Sequence, residues 1–299
     1  MRLLLSLCFL ICFTGLTYAQ PVPFECDNRF HMIFGEQGQS LTYDLTTDTF
    51  VIAPEQANRS MNAAGYREVD NLGYAIFSNS NELAQISADG SVVNLGPVNG
   101  LPENISIPAG SFGNDGLLYV YRGGVPDIQN TIFGINVDTR QVEREIDIQG
   151  PNFVVADIAL NPNDGLFYGV SGNYEGVPDT VLFTIDIESR TTQVIGPVIG
   201  PVASAAAFAD SSGVIYTAST RNTQPFAAFD TETGEGIVLG NVAVMPVTVD
   251  GGVDGFFCAA SPGPVATFVP TLSEWGMIAM AGILGIVAFI YIRKRKAVV

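Results

Sequence analysis

Histidine and basic residues are scarce in this sequence, and their scarcity excludes several classes of function. His31 is the single histidine, so no second imidazole is available for a histidine-based zinc site. The Gly-x-Ser-x-Gly pattern of a serine nucleophile and the glycine-rich phosphate-binding loop are also absent. Between the two ends of the chain, eight arginines stand against 29 acidic residues. Such a surface repels phosphate backbones, which excludes nucleic acid as a partner.

Charged side chains of both signs are few, at 14% of 299 residues, against roughly 25% in an ordinary soluble domain. Hydrophobic residues make up 47%, which excludes a disordered chain. The sequence also has 32 glycines and 17 prolines. This composition favours many turns and many short strands over a helical bundle.

The N-terminus has the pattern of a secretory signal peptide. A short basic start at Arg2 precedes an apolar run from Leu3 to Leu16 and small residues up to Ala19. We expect residues 1–19 to be removed by cleavage after Ala19. An uncleaved transmembrane anchor is the alternative, although the run is shorter than the ~20 residues that a span needs. A lipoprotein is a lesser alternative, because two cysteines lie within this segment.

The C-terminus combines a short motif, an apolar run and a basic end. The motif consists of Val269, Pro270, Thr271, Leu272, Trp275 and Gly276. The apolar run 277–292 predicts a transmembrane helix of about 24 Å, somewhat short of the ~30 Å hydrocarbon core. The basic residues after it are Arg293, Lys294, Arg295 and Lys296. They are expected to stop the helix at the cytoplasmic side, which leaves the body of the protein outside.

This tail resembles the IPTL-CTERM sorting signals of Gram-negative bacteria, with valine in place of isoleucine at position 269. The resemblance covers about thirty residues. It implies an inner-membrane-anchored precursor with a sorting signal at 269–299, whose tail is removed by an exosortase-type sorting transpeptidase, which passes the protein to the cell surface or the medium. A simple single-pass membrane anchor is the alternative.

Two cysteines remain after the signal peptide, Cys26 and Cys258. In an exported chain two cysteines predict a disulfide. This bond would tie the start of the central region to its end. No second ligand cluster accompanies the cysteines, which argues against a metal or redox pair.

The middle of the chain repeats itself. An Asn-Asp-Gly-like turn followed by an apolar strand recurs with tyrosines 45 to 49 residues apart, at Tyr74, Tyr119, Tyr168 and Tyr216. A strand that ends in a polar turn residue recurs five times, at Asp44, Ser87, Asn136, Asp186 and Asp230. A strand of small residues precedes the turn and its tyrosine-containing strand. A fourth strand follows the strand that ends in the polar turn residue. Four strands in 43 to 50 residues are typical of a β-propeller blade, with the small-residue strand innermost.

These repeats predict an all-β fold, a five-bladed β-propeller over residues 20–260, followed by a linker 261–268. The first unit lacks an inner strand, and residues 247–255 supply a candidate for it. The ring would then close through strands from both termini, with the two cysteines at the seam. A six-bladed ring is the runner-up, and a pair of β-sandwiches is the other alternative.

The span between the cysteines also resembles an uncharacterised, propeller-like repeat domain of secreted and surface proteins. The resemblance is carried by Cys26-Asp27, the phrase Asn161-Pro162-x-Asp164-Gly165-x-x-Tyr168-Gly169, Leu-Gly-Pro at 95–97 and Asp254-Gly255-x-x-Cys258. It implies fold and export, and it provides neither a substrate nor a catalytic set.

Acidic residues are the remaining candidates for chemistry. Asp157 lies in a predicted inner strand, and Asp250 and Asp254 lie in the closing one. Carboxylates around an axis can hold Ca²⁺, although a structural or channel-lining role for Asp157 is the more ordinary interpretation. We interpret Asp115 and Asp164 as turn formers and His31 as a structural or surface residue.

The sequence therefore predicts a cell-surface propeller that is a non-enzymatic binding, adhesion or structural envelope protein without a cofactor. Its partners would be the sorting transpeptidase, the membrane before processing, and a surface ligand or protein that the sequence does not identify. The alternative is a metal-dependent, lactonase-like hydrolase with acids at the channel mouth, so the sequence leaves open whether the protein is an enzyme.

Overall fold

The structure is a computed structural model that describes residues 20–27, 29–44, 47, 49–123, 130–150, 153–174, 180–199, 206–218, 225–241 and 253–258. These residues form 20 strands in five four-stranded antiparallel sheets. Each sheet is one blade, and its four strands lie side by side from the axis outward. The five-bladed propeller is confirmed, and a six-bladed ring and a sandwich pair do not describe these sheets.

Each blade extends from an innermost strand at the axis to an outermost strand at the periphery. The seam blade consists, in that order, of β20 (Val253–Phe256), β1 (Arg29–Phe34), β2 (Gln39–Asp44) and β3 (Thr49–Gln56). Blade 2 consists of β4 (Met61–Arg67), β5 (Leu72–Phe77), β6 (Glu82–Ile86) and β7 (Val92–Pro97). Blade 3 consists of β8 (Ala109–Phe112), β9 (Leu118–Arg122), β10 (Thr131–Asn136) and β11 (Gln141–Asp147). Blade 4 consists of β12 (Phe153–Leu160), β13 (Phe167–Tyr174), β14 (Thr180–Asp186) and β15 (Thr191–Ile199). Blade 5 consists of β16 (Ala206–Ala209), β17 (Ile215–Ala218), β18 (Pro225–Phe229) and β19 (Gly236–Asn241).

The five inner strands contact one another in the ring order β4, β8, β12, β16, β20 and back to β4. Small side chains make this crowding feasible. Ala63 and Ala109 are fully buried, and a Cβ atom on Gly110 would collide with the carbonyl of Ala63. The prediction that the small-residue strands lie innermost is therefore confirmed.

The ring closes through strands from opposite ends of the chain. Strand β20 pairs antiparallel with β1, with Phe256 opposite His31 and Val253 opposite Phe34. The described part of the closing strand begins at Val253, and the earlier part of the predicted segment, 247–252, lies outside the described residues. Closure by both termini is confirmed.

Apolar side chains from facing blades form five clusters, one at each blade–blade interface. The cluster between the seam blade and blade 5 is rich in aromatic residues. Phe30 lies at its centre and stacks on Phe208 at 4.5 Å and on Phe226 at 5.4 Å between ring centroids. Because each interface buries its own apolar cluster, neighbouring blades are packed firmly side by side around the axis.

Several predicted segments lie outside the described residues: the signal peptide 1–19, the linker 261–268, the sorting motif, the helix 277–292, the basic end 293–296, and Asp250. Within the described residues, no helix has the length and apolarity that a membrane span requires. The signal peptide and the transmembrane helix accordingly stay predictions.

Candidate functional site

The two cysteines meet where the ring closes. Cys26 precedes β1 and Cys258 follows β20, and the two are disulfide-bonded with Cα atoms 5.4 Å apart. The bond joins residues 232 positions apart in the sequence. It holds the inner strand of the seam blade to the strand beside it, as the sequence predicted.

Asp157 and Asp254 lie at the same level of the propeller axis. Asp157 is two residues before Ala159, which pairs with Tyr168 in blade 4. Asp254 is likewise two residues before Phe256, which pairs with His31 in the seam blade. In the same register position, blades 3 and 5 have Ala109 and Ala206. Both aspartates are 0% exposed, and their carboxyl groups are close enough for each to influence the pKa of the other. We call these two residues the axial pair.

Backbone N–H groups surround the axial pair. Asp157 accepts hydrogen bonds from the N–H of Ile158 (2.7 Å) and of Ala207 in β16 (2.6 Å). Asp254 accepts from the N–H of Gly255 (2.6 Å) and of Ala64 in β4 (3.0 Å). The pair therefore connects its own strands to neighbouring inner strands.

Burial raises the pKa of both carboxyl groups. The pKa of Asp157 is raised well above its ordinary value by loss of solvent and by the neighbouring Asp254. Loss of solvent also raises the pKa of Asp254 to about 8, against the lowering effect of the N–H donors. Burial and the proximity of the two groups therefore both favour the protonated form of a carboxyl group in this pair.

This donor set bears on the predicted Ca²⁺ site. Ca²⁺ takes six to eight oxygen ligands, whereas N–H groups occupy the carboxyl oxygens of Asp157 and Asp254. No group of three or more acidic, histidine or cysteine side chains converges within the part of the chain that the structure describes. Asp250, the third predicted acid, lies outside that part, so the Ca²⁺ site stays a prediction.

A cavity of about 280 Å³ lies directly above the axial pair. We call it the axial cavity. We call the register position of Asp157 and Asp254 in each inner strand the axial position. The lining of the cavity begins at the residue that follows this position, for example Gly110, Ile158, Ala207 and Gly255. It continues to the ends of the inner strands, where aromatic rings contribute, among them Phe112 and Phe257. The axial pair therefore lies just beneath the floor of the cavity, and the turns that follow the inner strands form its rim.

A repeated side-chain bond holds the turns after the inner strands of blades 2 to 5. In each of these blades a turn aspartate accepts the hydroxyl proton of a tyrosine on the second strand, and we call this contact the Asp–Tyr lock. The four locks are Asp70–Tyr74 (2.7 Å), Asp115–Tyr119 (2.7 Å), Asp164–Tyr168 (2.8 Å) and Asp210–Tyr216 (3.2 Å). The same aspartates also accept a backbone N–H of their own turn, as Asp164 does from Leu166 at 2.9 Å. The sequence interpretation of Asp115 and Asp164 as turn formers missed the tyrosine partner, although the four-residue spacing was visible.

Arginines connect the locks of blades 2 and 3 to the blade that follows. Arg67 bonds Asp70 in its own blade and Asp138 in blade 3, at 3.0 and 2.6 Å. Arg144 donates to the hydroxyl of Tyr119 (2.9 Å) and to Glu188 of blade 4 (2.8 Å). Both arginines thus join neighbouring blades, and Arg67 also lines the axial cavity.

His31 is a buried, neutral residue of the seam. Its Nδ1 lies 3.1 Å from the hydroxyl of Thr42, and its ring packs against Phe24 with centroids 4.5 Å apart. Burial, and secondarily the charge of Arg29, lowers its pKa to about 3. This environment agrees with the structural role that the sequence favoured.

Comparisons with solved structures show the fold alone. A protein of unknown function from Bacteroides thetaiotaomicron is 10% identical, with a TM-score of 0.52, over 80% of this chain and 66% of that chain. Virginiamycin B lyase from Staphylococcus aureus is 11% identical, with a TM-score of 0.42, over 76% and 73%. A gluconolactonase from Xanthomonas campestris is 12% identical, with a TM-score of 0.43, over 74% and 73%. No curated protein matches the sequence.

Two family models match the chain. The IPTL-CTERM motif matches residues 269–295, and this motif indicates export, sorting to the cell surface and processing by an exosortase-type enzyme. A model described as "Repeat of unknown function (DUF6923)" matches residues 36–259, which cover nearly the whole propeller. The chain therefore belongs to the DUF6923 repeat family and carries an IPTL-CTERM motif at its C-terminus.

Proposed function

We propose that this protein is displayed at the surface of a Gram-negative bacterium as a non-enzymatic binding module, with the axial cavity as its binding site. The observation that carries the proposal is the chemistry of the cavity lining. Small residues and aromatic rings dominate it. Such a surface binds an apolar group by excluding water from it.

The ionisable residues of the described lining are Tyr66, Arg67 and Glu68. Arg67 is engaged with two aspartates, and the Tyr66 hydroxyl donates to the side chain of Asn71. A nucleophile with an adjacent base is not part of this set, whereas covalent catalysis needs such a pair. The lining therefore supports binding over hydrolysis.

The volume limits the size of the bound group. About 280 Å³ lies at the lower end of ligand pockets, which span roughly 300 to 1,000 Å³. We expect the cavity to accept one ring system or a short alkyl chain, presented by a larger molecule at the rim. Val69 is 84% exposed at this rim and would extend the apolar contact outward.

Cys258 lies close to the axial cavity, and this supports a binding face that is turned towards the attachment point. Phe256 and Phe257 line the axial cavity, and Cys258 follows them directly. Ten residues, 259–268, separate Cys258 from the sorting motif. A chain of this length reaches at most about 35 Å. The cavity would then face the envelope to which the sorted protein is attached, so its ligand is expected to be an envelope component.

A filling variant tests the binding site. N-phenyl-naphthylamine, a neutral apolar fluorophore, is titrated into the mature exported protein. We expect one binding site per chain and at least about tenfold weaker binding to Ser111→Trp, because the indole occupies the cavity. Ser189→Trp, in an exposed turn of blade 4, is the matched control and should bind like the wild type. Absence of binding, or equal binding by the two variants, would contradict the proposal.

Mass analysis of the mature protein tests the sorting part. We expect the C-terminal peptide Arg293–Val299 to be missing from protein recovered at the cell surface, and to be present when the sorting enzyme is deleted. A surface-exposed protein that retains this peptide would show a simple membrane anchor instead.

A further inference from the structure

The axial position of the five inner strands has an unusual distribution of side chains. Blades 3 and 5 have Ala109 and Ala206 there, and blade 2 has a β-bulge containing Ala63. The two other positions hold Asp157 and Asp254. All five of these residues are 0% exposed. Three alanines leave room for two carboxyl groups to meet on the axis, shielded from solvent.

The axial pair bonds to neighbouring inner strands. Asp157, in β12, accepts a backbone hydrogen bond of 2.6 Å from Ala207 in β16, and the backbone N–H of Gly110 in β8 lowers its pKa. Asp254, in β20, accepts a backbone hydrogen bond of 3.0 Å from Ala64 in β4. The two carboxyl groups are also neighbours at the same level of the axis, close enough for each to influence the pKa of the other. One pair of side chains thus joins β12 to β16 and β20 to β4 at the centre of the ring.

A hydrogen bond between two carboxyl groups requires a proton, because two ionised carboxylates are acceptors only. The described inner strands offer no cation that could substitute for it. Their charged residues are Arg67 in β4 and the axial pair itself, while β8 and β16 have none. Arg67 is bonded to Asp70 and Asp138 at the rim. Within the described inner strands, a proton on one of the two carboxyl groups is therefore what can bond the aspartates to each other.

We propose that Asp157 and Asp254 form a proton-dependent lock at the propeller axis, and that its deprotonation loosens the inner strands and the floor of the axial cavity. The proton passes to solvent base, and two carboxylates then remain in contact without a shared hydrogen. Their repulsion separates β12 from β20 and weakens the bonds to β4 and β16. This inference concerns the scaffold and does not depend on the ligand proposed above.

The direction of the pH effect follows from linkage. A carboxyl group whose pKa rises from 3.8 in the unfolded chain to about 8 in the folded one stabilises the fold fully below pH 3.8 and loses this contribution as the pH rises to about 8. His31, whose pKa falls from 6.5 to about 3, has the opposite effect between those values. The two contributions offset each other between about pH 4 and 6.5. Above pH 6.5 the contribution of His31 is nearly constant, and the axial pair sets the slope that we expect from the described residues.

The test is the pH dependence of unfolding of the full-length exported protein between pH 6.5 and 8. We expect the unfolding equilibrium constant of the wild type to rise by about tenfold per pH unit in this window. In Asp254→Asn the slope should disappear, because the asparagine amide donates to Asp157 without a titrating proton. Glu103→Gln, in an exposed loop, is the matched control and should keep the wild-type slope.

A wild-type slope near zero, or an equal slope in Asp254→Asn, would overturn the proposal. If Asp254→Asn does not fold, infrared spectroscopy of the wild type decides. We expect a C=O stretching band of a protonated carboxylic acid in the folded protein near pH 6, lost as the pH passes 8. Absence of that band near pH 6 would also overturn the proposal.

Discussion

The seam blade and the four internal blades differ in how the innermost strand is joined to the second strand. In blades 2 to 5 the inner strand continues through a turn into the second strand, and an Asp–Tyr lock holds that turn. In the seam blade the corresponding strands, β20 and β1, come from opposite ends of the chain. The disulfide between Cys26 and Cys258 lies where the turn would be. A covalent bond thus replaces chain continuity at the point where the ring closes.

The register shows how close this correspondence is. Tyr168 lies opposite Ala159, two residues after the axial position, and His31 lies opposite Phe256, also two residues after it. Asp27 precedes His31 by four residues, as Asp164 precedes Tyr168. The distance from Asp27 Oδ1 to His31 Nε2 is 4.0 Å, too long for a hydrogen bond. The seam retains the positions of the lock without its bond, so the disulfide carries the constraint.

The largest expected effect comes from removing the covalent constraint. Cys26→Ala with Cys258→Ala should lower the free energy of unfolding by up to about 5 kcal/mol, because the unfolded chain regains the freedom of a very long loop. Thermal and denaturant unfolding of the exported protein measure this. Asp164→Asn, which weakens one internal lock, is the comparison and should cost less than half as much. Equal losses would contradict the idea that the seam depends on its disulfide.

The second effect is an acid sensitivity located at the seam. The pKa of His31 is lowered to about 3 by burial, so its contribution to stability is complete above pH 6.5 and is lost as the pH falls towards 3. Between pH 6.5 and 5 this loss amounts to about 2 kcal/mol. Relative to the wild type, His31→Gln should therefore gain stability as the pH falls through this range. Parallel pH profiles of the melting temperature for the two proteins would show that His31 is not the group responsible.

The third effect is the contribution of one internal lock. Tyr119→Phe removes a hydroxyl that donates to Asp115 and accepts from Arg144, and should cost about 1.5 kcal/mol in urea denaturation. Tyr121→Phe is the matched control, since the hydroxyl of Tyr121 donates to the neutral side chain of Asn130 and its loss should cost about 1 kcal/mol or less. A smaller loss of unfolding free energy in Tyr119→Phe than in Tyr121→Phe would show that the Asp–Tyr lock does not stabilise the internal blades.

The smallest effect concerns a turn that blades 3, 4 and 5 share. Arg140, Arg190 and Gly234 occupy equivalent positions and have φ angles of 55°, 59° and 71°. Because a left-handed φ favours glycine, Arg190→Gly should raise the free energy of unfolding by about 0.5 kcal/mol. Arg140→Gly is the control, since it also loses the bond from its guanidinium to the Leu95 carbonyl and should show no gain. A loss of stability in Arg190→Gly would mean that these turns are not interchangeable.

The repeated phrases predicted the number of blades and the closure of the ring because strand alternation and turn chemistry are local patterns. Five polar turn residues, at Asp44, Ser87, Asn136, Asp186 and Asp230, indicated five units. Each of them lies at or next to the end of the third strand of a blade or in the turn that follows it. The two cysteines marked the seam for the same reason, since in an exported chain their pairing has few alternatives.

The axial pair could not be predicted from local patterns. Asp157 and Asp254 were candidates for the channel, but their contact depends on alanines in three other blades and on N–H groups of Ala64 and Ala207. The correspondence between His31 and the tyrosines was missed because the phrase around His31 lacks the Asn-Asp-Gly turn. Only the register of β1 against β20 shows it.

The two ends of the chain form one blade and are joined there by a single intramolecular disulfide. Peptide mapping of the mature exported protein without reduction is the sharpest test of this closure. We expect one cross-linked peptide pair that joins Cys26 to Cys258 within the same chain. Two free thiols, or cross-links between different chains, would contradict it.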